Sequence, residues 1–351
     1  MVNKNLIGHT GKVKWKSPSN IALVKYWGKH GRQLPKNPSI SFTLNQAHTL
    51  TEIEYIVLPE KQNKISSEFL FEGKPEEKFK AKIDSYLTSV LDLFPMLAQL
   101  GLKINSENSF PHSSGIASSA SSMSALALCI LDIISEVDDK PLDYLQASIL
   151  ARLGSGSAAR SVYGPLTIWG KTKAYSNSNE EYAIAVPLED QAPIFRKFHD
   201  DILIVSKKEK AVSSRAGHAL MDENVYAQAR YDQASSHLVL ITKAIKEGDI
   251  EIFGDLVEKE ALTLHALMMA STPPYILMEP ATLEVIRKIQ KFRTEQKVPV
   301  YFTLDAGPNV HMLYPGTYAT NIAPLKEELK SLCSDGFILE DVIGQGPTKL
   351  S

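Results

Sequence analysis

PHSSGIASSAS, Pro111 to Ser121, is followed one serine later by MSALALCILDII, Met123 to Ile134. In the second stretch Met123, Leu126, Ala127, Ile130, Leu131 and Ile134 recur at three- and four-residue spacing, which predicts a helix with one apolar face. The first stretch is then the loop feeding that helix. Small residues and a glycine let its backbone turn tightly, and the unpaired N–H groups of a first helical turn carry partial positive charge. Six hydroxyls, on Ser113, Ser114, Ser118, Ser119, Ser121 and Ser122, crowd the same place and suit a polyphosphate. The same composition also makes ordinary helix caps and connections, so the loop alone leaves both readings open. Neither GxxxxGK[ST] nor a GxGxxG after a strand occurs, so neither a P-loop nor a Rossmann site is indicated.

With 351 residues the chain can bury two cores, and its 44% hydrophobic and 22% charged content is that of a globular protein. The 38 basic and 40 acidic side chains nearly cancel, which points to neither a nucleic acid nor a membrane as partner. The most apolar run, around Ala125 to Ile134, is about half a bilayer span, and MVNKNLIGHTGKVKWK lacks the core of a secretion signal. Cys129 and Cys333 read as buried free thiols, as in a reducing cytoplasm, and the nine histidines show no zinc spacing.

Upstream of the loop, Lys12 to Lys29 reads as a strand, a Ser-Pro-Ser-Asn turn and a second strand ending in Lys25, Tyr26, Trp27 and Lys29. Rings beside two ammonium groups make either a wall for an anionic substrate or a strand end with snorkelling lysines. Residues 30–45 predict a loop and a strand, His48 to Leu58 another strand, 76–94 an amphipathic helix, and GLKINSENSF a strand leading into the serine loop. Downstream, a helix from Pro141 to Gly154 precedes SGSAARSVYG, where Ser155, Ser157 and Arg160 share a small-residue turn. Arg160 is either solvated or a two-pronged grip for carboxylate or phosphate. KTKAYSNSNEE predicts a hairpin tip, and Gln191 to Asp200 a domain junction near residue 195. Beyond it come a buried strand, Ser213 to Arg215 at a helix start, helices over Tyr231 to Glu247, Ile250 to Met269 and Pro280 to Gln296, and two strands meeting at AGPN. Asp305, at that meeting, is a turn former or a catalyst. A helix, APLKEELKSLC, and a strand, FILEDVI, close the chain.

Four segments together resemble the mevalonate diphosphate decarboxylases, a family within the GHMP superfamily of small-molecule kinases: NIALVKYWGK, FPHSSGIASSAS, GSGSAARSVYG and FTLDAGPN. They occur in the family's order over nearly the whole chain. The resemblance implies a two-domain α+β GHMP kinase fold, residues 1–195 binding ATP and 196–351 forming the second domain, with the active site in the cleft between them. It implies that ATP, with Mg²⁺, lies on Ser113, Ser114, Gly115, Ala117, Ser118 and Ser119. It makes Asp305 the catalytic aspartate, Arg160 the holder of the substrate carboxylate, and Lys25 a further catalytic residue. Tyr26, Trp27, Lys29, Ser155, Ser157, Ser214 and Arg215 would contact the substrate. The chain departs from the family at His112, Ser113 and Ser114, where a TAAG-like run is expected, and at Ala159, a cysteine in many relatives. The implied reaction is ATP-dependent conversion of mevalonate diphosphate to isopentenyl diphosphate. The alternative is a relative that takes mevalonate or its monophosphate. A cytoplasmic homodimer is expected.

Overall fold

The computed structural model describes residues 6–110, 118–208 and 214–351, with the side chains of Ser214 and Arg215 outside that description. Two long strands dominate the first half, β1 (Thr10–Val24) and β4 (Ser39–Val57), paired antiparallel from Thr10 opposite Ile56 to Val24 opposite Ile40. Ser-Pro-Ser-Asn is therefore not a turn, nor are residues 39–45 and 48–57 separate strands. The ladder shifts register between Pro18 and Asn20, with Pro18 opposite His48 and Asn20 opposite Thr43. Between those pairs β1 advances two residues and β4 five, so the extra residues loop out of β4 beside Pro18, which has no N–H to give, and both strands continue. The looped-out N–H groups of Asn45, Gln46 and Ala47 all donate to the Asp341 carboxylate, at 2.9, 2.7 and 2.7 Å. A strand irregularity in the first half is thus satisfied by a side chain near the end of the chain.

Between these strands lies a small hairpin, β2 (Lys29–His30) and β3 (Leu34–Pro35). The sheet continues through β5 (Glu68–Phe71), β6 (Lys74–Pro75), β7 (Leu100–Asn108), β8 (Leu166–Trp169) and β9 (Ala183–Ala185). Its main path is β14-β1-β4-β7-β5-β6, β14 being Thr348–Lys349, while β8 and β9 extend it from β4. The tip predicted at residues 171–181 joins β8 and β9. Helices α1 (Glu77–Ser89), α2 (Ser118–Asp138) and α3 (Tyr144–Gly154) accompany the sheet, and Leu126, Ile130 and Leu150 bury against Val13, Ile53 and Ile104. α3 starts later than Pro141 because the Asp143 carboxylate caps it, accepting from the N–H groups of Leu145 and Gln146. α2 is long and apolar enough to cross a bilayer, yet 78% of its most apolar window is buried inside the protein.

The second half holds the sheet β11-β12-β10-β13, made of β10 (Phe198–Leu203), β11 (Tyr301–Leu304), β12 (Val310–Pro315) and β13 (Ile338–Leu339). With it run α4 (Ser214–Ala219), α5 (Ala227–Glu247), α6 (Ile250–Met269), α7 (Pro280–Gln296) and α8 (Ala319–Lys330). The boundaries of α6 and α7 are those the sequence predicts. FILEDVI is shorter as a strand than predicted: after Leu339 only isolated bridges continue it, Val342 to His199 of β10 and Ile343 to Leu44 of β4, so this stretch stitches the second sheet to the first. Near residue 195 the chain is packed: Ile21 and Phe42 from the first half share a core with Phe195, Phe198, Leu238 and Phe253. β14 then pairs with β1, Trp15 opposite Lys349, while the Trp15 indole N–H and the Lys349 ammonium both reach the Asp132 carboxylate, at 2.8 and 2.9 Å.

Candidate active site

β1 stops at Val24, and the next residue, Lys25, is buried to 2% exposure, although a lysine head is rarely taken out of water without a partner. Its partner comes from the other half: Lys25 Nζ lies 3.2 Å from Oδ1 of Asp305, in the turn between β11 and β12. Burial pushes the Lys25 ammonium below its ordinary value, and the Asp305 charge opposes that shift. The Asp305 side chain keeps 27% of its exposure, and its carbonyl oxygen receives Gly307 N–H at 2.7 Å and faces His265 Nε2 at 3.1 Å. The carboxylate is thus held from below by an ammonium and open on another side.

The backbone of Lys25 is fixed as firmly as its side chain. Its N–H donates to Glu260 Oε2 on α6 at 2.8 Å, and its carbonyl accepts from the Arg230 guanidinium on α5 at 2.8 Å and from Asn37 at 3.0 Å. Arg230 grips Glu260 with two N–H groups, and His237 Nδ1 lies 2.6 Å from the same carboxylate. Burial alone would raise the Glu260 carboxyl, but hydrogen bonds from His237, Arg230 and the Lys25 amide outweigh it and hold the group down to about 2. This buried network joins the two halves of the protein at the lysine itself.

Arg160 is not a solvated loop arginine. A 3₁₀ turn over Gly156–Val162 carries it inward to 2% exposure. Its guanidinium donates to Ser39 Oγ at 2.7 Å, Ser41 Oγ at 3.0 Å and Asn20 Oδ1 at 3.3 Å. All are neutral acceptors, and among the described residues no carboxylate forms an ion pair with it. Burial lowers its pKa to about 10, with the Asp305 and Tyr26 fields opposing. A buried cation oriented by neutral groups is stabilised by whichever anion arrives beside it.

Tyr26 lies edge-on to Trp169 at 4.8 Å, with its hydroxyl where a Cβ at residue 156 would come within 2.6 Å, so Gly156 provides the space. Burial raises the Tyr26 phenol, against Arg160 and Arg152. Lys29 Nζ donates to Gln33 at 2.7 Å across the small hairpin. Trp27 is 4% exposed and belongs to an apolar cluster with Met221, Leu264 and Met268. Ser155 Oγ lies 3.3 Å from Ser119 Oγ, so the two serine-rich segments meet. Ser157 accepts Asn20 Nδ2 on its carbonyl at 3.2 Å, and the Ser118 carbonyl accepts the hydroxyls of Ser121 and Ser122. Ser113, Ser114, Gly115 and Ala117 lie outside the described residues, as do the side chains of Ser214 and Arg215. Among the described residues no group of three His, Cys, Asp or Glu could hold a metal ion.

Sequence reading missed the residues that hold the site: Asn20, Ser39 and Ser41 around Arg160, Glu260, Arg230 and His237 around Lys25, and His218 against Tyr26. Only His218 had a local signal, standing three residues after Arg215 in SSRAGH.

Mixed helix and sheet in two bodies, with charged groups from both converging at their seam, defines the class: a small-molecule enzyme of the GHMP kinase fold. A family model for the diphosphomevalonate decarboxylase-like N-terminal domain matches residues 17–180, and one for the mevalonate 5-diphosphate decarboxylase C-terminal domain matches residues 201–335. The diphosphomevalonate decarboxylase of Debaryomyces hansenii is 30% identical over 85% of this chain and 78% of its own length. The crystal structure of mevalonate diphosphate decarboxylase from Staphylococcus aureus aligns over 97% of this chain and 98% of its own, with TM-score 0.83 and 29% identity. A structure described as MDDEF in complex with MVAPP, AMPPCP and magnesium aligns over 97% and 99%, with TM-score 0.81 and 28% identity. The chain belongs to the diphosphomevalonate decarboxylase family.

Proposed function

We propose that this enzyme converts mevalonate 5-diphosphate and ATP to isopentenyl diphosphate, carbon dioxide, ADP and phosphate, through phosphorylation of the substrate's tertiary hydroxyl. The observation that carries the reading is the Lys25–Asp305 pair, 3.2 Å apart across the two halves of the molecule, with the buried Arg160 within the field of the Asp305 charge. A tertiary hydroxyl is a weak nucleophile and, unmodified, a poor leaving group. Asp305, paired with Lys25 and partly open, accepts or orients the hydroxyl's proton so that oxygen is directed at the γ-phosphate. Lys25 supplies positive charge in a water-poor setting, where it counts for more than in solution.

As the new phosphate leaves, positive charge grows at the tertiary carbon and the C–C bond to the carboxylate breaks toward it. Arg160 orients that carboxylate; being fixed by Ser39, Ser41 and Asn20, it does so without reorganising. Tyr26, Trp27, Lys29, Ser155, Ser157, Ser214 and Arg215 form the substrate side, with the diphosphate toward Tyr26 and Lys29. The ATP phosphates take the serine run from Ser113 to Ser119. The relative with AMPPCP and magnesium supports ATP and Mg²⁺ as the family's pair, and Mg²⁺ bound with the nucleotide offsets phosphate charge. The division into two domains near residue 195, a homodimer and a cytoplasmic location complete the proposal; two free, buried cysteines agree with a reducing compartment.

The test is to offer the purified protein mevalonate, its monophosphate and its diphosphate side by side with ATP, and to follow carbon dioxide and ADP. Equal release of both from the diphosphate alone supports the reading. ADP without carbon dioxide, or carbon dioxide from the monophosphate, replaces it with the kinase or monophosphate alternative.

A further inference from the structure

His218 lies in α4 and is 7% exposed. Its ring is wedged between Tyr26, at 4.3 Å between centroids, and Trp27, at 4.5 Å. The wedge is tight because residue 217 is glycine: a Cβ there would come within 2.7 Å of the Trp27 ring and of the Tyr275 hydroxyl. The Gly28 N–H points at His218 Nδ1, 3.0 Å away. A backbone N–H can only donate, so Nδ1 must be the unprotonated nitrogen and the proton of the neutral ring sits on Nε2. Nε2–H has no acceptor among the described residues. The ring is nine-tenths buried, but Nε2–H is not a sealed, unsatisfied donor; fixed in one tautomer and without an acceptor among the described residues, it is available to an acceptor from outside the protein.

The surroundings say what. The charged groups acting on the ring are Lys29 and Arg160, both cations, and with burial first they bring the His218 pKa down to about 3. A third positive charge is thereby excluded, while a neutral N–H donor costs no such repulsion. We propose that His218 is a further substrate-contacting residue, whose Nε2–H donates to a phosphate oxygen of the substrate's diphosphate beside Tyr26 and Lys29. This rests on the assignment of the diphosphate to that end of the site. The ring adds a directed hydrogen bond that the Lys29 ammonium, acting as a point charge, does not supply.

Two substitutions separate the nitrogens. His218→Asn keeps an acceptor near Nδ1 for Gly28 but lacks the Nε2 donor, whereas His218→Gln places an N–H near Nε2. The expected result for His218→Asn is a rise of about tenfold or more in KM for mevalonate diphosphate, with kcat and the KM for ATP within about threefold. His218→Gln should recover most of the loss. An unchanged KM in the Asn variant, or equal rises for both substrates, overturns the proposal. Independently of folding in the variants, histidine-¹⁵N spectra of the unmodified protein at pH 7 should show Nδ1 bare, and inorganic pyrophosphate should shift the Nε2–H signal. An Nδ1–H tautomer, or no response to saturating pyrophosphate, overturns it as well. If the protein fails to decarboxylate mevalonate diphosphate, the functional reading falls, and the pyrophosphate titration still decides the role of His218.

Discussion

Asp305 and Arg160 do different work with their charges, and substitution should separate them. In Asp305→Asn the side chain still fills its place beside Lys25 but can no longer take a proton. Turnover should fall by several orders of magnitude while ATP affinity stays within about tenfold, as measured by single-turnover kinetics and nucleotide titration. Arg160→Ala leaves Ser39, Ser41 and Asn20 around a hole and removes the anchor of the carboxylate. Carbon dioxide release should collapse further than nucleotide binding; equal losses would make Arg160 a phosphate contact. The sequence brought these two residues forward through motifs, because DAGPN and SGSAAR are local words. It was silent on Glu260, and gave His218 no more than a place beside Arg215; their partners Lys25 and Gly28 lie about two hundred residues away, so their meaning exists only once the chain has folded.

At the scale of elements, helices were more legible than strands. α7 declares itself: Pro280 opens it, Thr282 Oγ1 receives the Glu279 N–H at 3.1 Å, and Lys297 stops it in a left-handed conformation with φ 55°. Each signal lies within a turn of the residue it governs. β1 and β4 were cut in two by local signs, Ser-Pro-Ser-Asn among them, because a bulge and a turn are written in the same residues and only the partner strand decides between them. Packing of α6 on β11 gives a direct test. Gly254 lies where a Cβ would overlap the Tyr301 ring, which also carries the Arg293 guanidinium 4.6 Å from its centroid. Alanine is the better helix former by about 1 kcal/mol, but overpacking here should cost roughly 1–3 kcal/mol. Gly254→Ala is therefore expected to lower the urea midpoint, and an unchanged or raised midpoint would show that the Tyr301 ring simply moves aside.

For the whole molecule the decisive contact is the Glu260–Arg230 pair, 0% and 1% exposed, which ties α5 and α6 of the second half to the end of β1. Removing one member of a buried pair typically costs about 3–5 kcal/mol, so Glu260→Gln should unfold well before the unmodified protein at pH 7. The sign with pH follows from the carboxyl being held at about 2 against an ordinary 4.5. Its stabilisation is complete above about pH 4.5 and fades as pH falls toward 2. Denaturation at several pH values should show the gap between the two proteins narrowing on acidification. A constant gap would mean that the loss is one of shape, not of charge.

The pairing of β14 with β1 carries one more consequence, for the order in which the protein is made. The strand that delivers Lys25 leaves the ribosome long before the one that covers its flank, at residues 348 and 349. Until then the early half presents an uncovered strand edge and an unfilled bulge at residues 45–47, both open to neighbouring nascent chains. The interval between the making of these two strands is therefore the one in which a nascent chain needs shelter.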